Sequence, residues 1–179
     1  MRRVVTGLTQ SGKSVFVSDG EPPRNIKAEG LDSEIFEVWG TDGIPTIPVE
    51  ECDPTVEMSS FIPPPGGTRL RISRIPGTKE VEQAIKAGVD MEAIQQERSA
   101  KRPDFAAVME KEHPGMHTTD TIDYGIVISG EIWLELDDGA EVHLKQGDCV
   151  IQNGTRHAWR TRSPEPCVMA WMLVGAERR

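Results

Sequence analysis

Three side chains in the last third of the sequence carry the chemistry this chain can do: His117, Asp123 and His157. Two imidazoles and a carboxylate form the ligand set of a 2-His-1-carboxylate centre, which leaves coordination positions open to water, substrate or dioxygen. Without a metal, the same groups are acids and bases around a cavity. Thr119 stands close enough in sequence to hydrogen-bond a metal-bound water or a ligand. Tyr124, the only tyrosine, adjoins Asp123 and is either a proton donor or a packed ring with a bonded hydroxyl. Trp159 lies two residues beyond His157, so an extended strand puts both on one face, where the indole would wall a cavity suited to aromatic or carbon-rich ligands. Arg69 and Arg71 also alternate and point the same way, either into the cavity as carboxylate forks or, as expected here, onto a solvated face.

Short strands must position these groups. GEIWLELDDG alternates Ile132, Leu134 and Leu136 with Trp133, Glu135 and Asp137, and the Asp137-Asp138-Gly139 turn leads into EVHLKQGD. Glycines at 115, 125, 130, 139, 147 and 154 punctuate the run, the texture of a small β-barrel with a site in its mouth. Upstream, residues 2–6, 13–18, 35–39 and 68–75 are rich in Val, Ile, Phe and Trp and bounded by Gly or Pro, which predicts strands. Residues 79–112 differ: Val81, Ala84, Ile85, Val89 and Ile94 recur at helical spacing, with a break near Gly88 and a new start near Pro103. That segment packs on the outside of the barrel or against a partner, or else forms a lid.

GLTQSGKS, residues 7–14, satisfies the G-x4-G-K-[ST] pattern of a phosphate-binding loop. Such a loop needs a helix immediately after it to supply aligned amides. SVFVSDGEPP is β-branched and then broken by Gly20, Pro22 and Pro23, so a hairpin turn is predicted and no nucleotide cofactor is expected. The formal charge of -9 argues against binding a nucleic-acid backbone. No run of about 18 apolar residues suggests a membrane span. Cys52, Cys149 and Cys167 lack the spacing of a disulfide framework or thiolate cluster, and a reducing cytoplasm is expected.

The block around these histidines resembles the cupin family. That family's first motif has the form G-x5-H-x-H-x3-4-E-x6-G and its second G-x5-P-x-G-x2-H-x3-N. Here His117, Asp123 and Gly130 fall on the first, and Gly147 and His157 on the second, with NGTRH one residue shorter than its counterpart. Thr119 replaces one histidine, Asp123 the glutamate, and Asn153 and Thr161 the usual Pro and Asn. The resemblance implies an all-β double-stranded β-helix, or jelly-roll barrel, with a helical segment around 79–112. Residues 1–78 would contribute strands and loops, and 113–179 the motif half of the same barrel. It also implies a small-molecule ligand, a homodimer, and a divalent metal (Fe, Mn, Zn or Ni) held by His117, Asp123 and His157 in an oxygenase, decarboxylase or isomerase. Thr119 in a ligand position leaves open a metal-free binding cavity or a non-metal lyase.

Overall fold

The computed structural model describes residues 1–49 and 52–179. Its elements run β1 (Arg3–Leu8), β2 (Ser14–Gly20), β3 (Asn25–Ala28), β4 (Leu31–Thr41), α1 (Pro54–Glu57), β5 (Thr68–Ile75), α2 (Thr78–Lys86), α3 (Met91–Lys101) and α4 (Pro103–Val108). The motif half follows with β6 (Thr121–Ser129), β7 (Glu131–Glu135), β8 (Glu141–Lys145), β9 (Cys149–Asn153), β10 (Ala158–Arg160) and β11 (Cys167–Gly175).

The phosphate-loop pattern is indeed a hairpin: β1 and β2 pair antiparallel around Gly12, whose φ of 79° suits a residue without Cβ. The Asp137–Gly139 turn likewise joins β7 to β8, with Asp138 and Gly139 both at positive φ. This second hairpin is nested inside the β6–β9 pair, while β10 adds to β7 and β11 to β6. Rolling up one long nested hairpin in this way makes a jelly roll. The result is a six-stranded sheet, β3-β4-β5-β11-β6-β9, and a three-stranded sheet, β10-β7-β8.

Alternation along the strands builds the core. Ile132 and Leu134 of β7, Leu144 of β8, Val127 of β6 and Met169 of β11 bury one face of each sheet against the other. At about 1.5–3 kcal/mol per fully buried large apolar side chain, these positions hold the two sheets together. A second cluster, Leu31, Ala84 and Ile94, seats α2 and α3 on the β3–β4 edge. The helical stretch is packed, in three pieces, on the same side of the β3–β4 end that Ser33 and Ile35 face, not on the outside of the barrel, and Ile85 faces solvent. Asp90 caps α3 through Glu92 and Ala93 amides, and Pro103 opens α4, since its missing amide proton costs nothing at a helix start. Among the described residues no helix is long and apolar enough to cross a membrane.

Candidate functional site

The inner face of the six-stranded sheet, covered at one end by α3 and α4, encloses a pocket of about 240 Å³. His117 enters from the chain just before β6, where it bridges to His157 by two backbone hydrogen bonds of 3.0 Å. His117, Thr119, Thr121 and Asp123 are alternate residues, and all four are buried on the inner side. The imidazoles face each other with ring centroids 4.2 Å apart. Phe105 of α4 stands edge-on to His117 at 4.9 Å, Trp159 edge-on to His157 at 5.9 Å, and Trp171 against Trp159 at 4.7 Å. An unbroken aromatic wall therefore flanks both histidines.

Tautomers follow from the partners. Nδ1 of His117 lies 3.0 Å from the Gly115 carbonyl, and Nδ1 of His157 lies 2.9 Å from the Thr155 carbonyl. A carbonyl oxygen only accepts, so each Nδ1 carries the proton and each Nε2 keeps its lone pair. Burial lowers both pKa values; His157 falls to about 4, by burial and then by its neighbour His117. Both rings are neutral at pH 7. The Asp123 carboxyl is pushed up by burial, against a hydrogen bond from Thr121 and the charge of Arg71, and its Oδ1 is buried without a partner. On the paired strand, Gln152 is opposite Asp123, and its Nε2 is also unpartnered.

The metal centre expected from the three residues meets a geometric obstacle. Among the described residues, no three His, Cys, Asp or Glu side chains come together as a group that could hold an ion. His117 is opposite His157 in an isolated bridge before β6, whereas Asp123 is opposite Gln152 inside the β6–β9 ladder. The two imidazoles converge and the carboxylate does not join them, so the facial triad does not fit.

Other expectations are corrected by which face each residue takes. Tyr124 follows Asp123 immediately and so points to the outer side of the sheet, 43% exposed, away from the pocket. Arg69 and Arg71 do share a direction, but inward and fully buried, not onto a solvated face. Arg69 donates to the Thr41 and Thr68 carbonyls at 2.8 Å and pairs with Asp42 at 2.5 Å, which leaves it no reach into the pocket. Arg71 lines the pocket but is held by Glu37 at 3.0 Å, by the Phe61 carbonyl and by the Phe61 ring, 3.4 Å beneath its guanidinium. Thr119 lies in the pocket wall, its hydroxyl 2.8 Å from that of Thr121.

The helical stretch contributes residues that sequence patterns did not single out. Arg98, Arg102 and Phe105 line the pocket, and Phe61 comes with them from the loop before β5. The available signal was the close spacing of Arg98 and Arg102, two like charges four residues apart just before Pro103.

A family model described as "Cupin domain" matches residues 105–173, the segment that supplies Phe105, both histidines, Asp123 and both pocket tryptophans. Among curated proteins, phomopsin biosynthesis cluster protein C' of Diaporthe leptostromiformis is 56% identical over 48 residues, covering 27% of this chain and 25% of that protein. Oryzines biosynthesis cluster protein J of Aspergillus oryzae is 46% identical over 55 residues, 28% of this chain and 31% of its own. The cupin-domain-containing oxidoreductase virC of Hypocrea virens is 39% identical over 62 residues, 33% of this chain and 32% of its own. The chain thus matches a quarter to a third of the length of these relatives.

Proposed function

Because this chain belongs to the cupin superfamily, with residues 105–173 as the matching domain of an all-β jelly roll, we propose that it is an enzyme-like protein that binds a small organic molecule and moves a proton on it without a metal ion. The observation that carries this reading is the pair of neutral imidazoles whose Nδ1–H groups are tied to backbone carbonyls, leaving two Nε2 acceptors in an aromatic pocket. Each fixed Nε2 can take an O–H or N–H hydrogen bond from a ligand. Asp123, with its pKa raised by burial and its Oδ1 unpartnered, is the group placed to give or take the proton. The aromatic wall excludes water and leaves these few polar atoms to orient the ligand. The reaction class is a non-metal lyase or isomerase, in which a proton leaves one atom and returns to another.

Elemental analysis of untagged protein tests the metal-free part. Less than about 0.1 equivalent of Fe, Mn, Zn or Ni is expected, because structural and catalytic sites need three or more convergent ligands. One equivalent of metal that survives dialysis and is lost in His157→Ala would defeat the reading. A second reading, an oxidoreductase, is favoured by the name of the Hypocrea virens relative. Dioxygen consumption by the purified protein with its substrate would select it.

The homodimer stays part of this proposal. Ile122, Tyr124 and Ile126 of β6, with Ile151 of β9 and Met172 of β11, expose large apolar side chains on one outer sheet face. Contiguous apolar faces of this kind mark association surfaces, and a second copy offers the same face in return. Light scattering is expected to give twice the monomer mass, and Ile126→Lys one monomer mass; a wild-type monomer would refute the dimer. The cytoplasmic setting likewise remains proposed, supported by three cysteines that are all free.

A further inference from the structure

Arg98, in the last turn of α3, and Arg102, the non-helical residue that joins α3 to α4, both line the pocket. The other arginines there are neutralised: Arg71 by Glu37 at 3.0 Å and Arg74 by Glu80 at 2.6 Å. Among the described residues, Arg98 and Arg102 have no carboxylate within ion-pair distance. Arg98 donates to the Ser33 hydroxyl, and Nε of Arg102 donates to the Arg98 carbonyl at 3.3 Å. Glu97, the acid immediately before Arg98, is taken by Lys101 at 2.6 Å.

Burial holds both guanidiniums below their usual pKa; Arg102 falls to about 10, by burial and then by the charge of Arg98. They remain cationic at pH 7 nevertheless. Two like charges, four residues apart and partly desolvated, disfavour the fold that holds them. An arriving anion reverses that: planar guanidinium forks accept a carboxylate through paired N–H···O bonds. Beside the forks the wall turns apolar. The Arg102 guanidinium lies 5.1 Å from the Phe61 ring and 5.3 Å from Phe105, and Phe105 leads on to His117.

We propose that the pocket takes an organic carboxylate with a flat, carbon-rich body, its carboxylate held between Arg98 and Arg102 and its body laid along Phe105 towards the two imidazoles. This rests on the pocket being a small-molecule site and names the ligand class for it. The clamp leaves the reacting end of the ligand at the histidines and Asp123.

Calorimetry on the intact protein with 2-naphthoate, 2-naphthamide and 2-naphthyl phosphate tests it. Naphthoate is expected to bind about tenfold or more tighter than naphthamide. Arg98→Gln and Arg102→Gln should each bring naphthoate down to the naphthamide level. The unliganded Arg102→Gln protein should melt at the same temperature or about 2 °C higher, since an uncompensated charge is gone. A fall of that size together with unchanged naphthoate affinity would mark Arg102 as structural and overturn the clamp. Equal binding of acid and amide overturns the clamp and leaves the small-molecule pocket standing. Tighter binding of the phosphate overturns the carboxylate assignment. No binding of any probe at about millimolar concentration overturns both clamp and pocket.

Discussion

Glu37→Ala is expected to destabilise the protein by about 3–5 kcal/mol, the cost of leaving a buried cation unpaired. Glu37 and Arg71 are 1% and 2% exposed and meet at 3.0 Å. Burial pulls the Arg71 pKa down to about 10 even with Glu37 beside it, and removing Glu37 takes away the charge and hydrogen bond that hold the guanidinium cationic. The Phe61 carbonyl and ring remain, and neither replaces a carboxylate. For a domain of this size such a loss corresponds to a melting temperature lower by about 6–20 °C. Removing both charges should cost far less: a Glu37→Met, Arg71→Met double variant trades the pair for apolar contacts and their desolvation cost disappears. Urea unfolding of the three proteins gives the comparison. A Glu37→Ala loss below about 1 kcal/mol would mean that water reaches Arg71 from the pocket and solvates it.

The second large effect is a loss of stability on acidification. A solvated imidazole titrates near 6.5, whereas burial brings His157 down to about 4 in the folded protein. Between those limits the unfolded chain binds a proton that the native state refuses, so stability is full above about pH 6.5 and declines as pH falls towards 4. Two and a half pH units at about 1.4 kcal/mol each amount to about 3 kcal/mol. His117, lowered by the same burial, adds in the same direction. Asp123 opposes them, because its raised pKa makes the native state the better proton acceptor just above 3.8. The histidines therefore dominate the upper part of the window and Asp123 softens the lower part. Thermal melts from about pH 7.5 to about 4.5 should fall steeply for the wild type and more gently for His157→Gln. Parallel profiles would show that His157 charges freely in the native state, and the fixed Nε2 acceptor would be lost as a premise.

These two effects concern the same pocket from opposite sides. The Arg71–Glu37 pair closes its floor with a neutralised charge, and the neutral histidines give it acceptors without charge. Within that setting, Arg98 and Arg102 remain as cations lacking an acid among the described residues. The chemistry proposed for the site follows from this division: charge is reserved for fixing the ligand, and neutral groups with shifted pKa values face the part that reacts.

The local elements were legible in the sequence wherever period and turn chemistry agreed. Alternation of Ile132 and Leu134 with Trp133 and Glu135, ended by Asp138-Gly139, could only make a hairpin with one apolar face. Gly20, Pro22 and Pro23 were enough to rule out a helix behind the phosphate-loop pattern, and β2 runs to Gly20. The convergence of His117 and His157, far apart along the chain, was also readable, because both lie in blocks resembling the two cupin motifs. By itself, then, the sequence determined a jelly roll with two histidines near one another.

Only the tertiary structure decided what surrounds them. Face and register depend on which strand pairs with which, and a single step moves a side chain across the sheet, as Asp123 inward and Tyr124 outward illustrate. The spacing of Asp123 matches the motif, yet its partner in the ladder is Gln152, so the carboxylate does not join the imidazoles. Arg69 and Arg71 have equal sequence credentials, and long-range partners alone give one to Asp42 and the other to Glu37. Arg98, Arg102 and Phe105 reach the pocket because Leu31, Ala84 and Ile94 seat the helices on a sheet edge. Periodicity is a property of neighbours a few residues apart, whereas a binding site is made by groups brought together over long loops, and no local pattern records that packing.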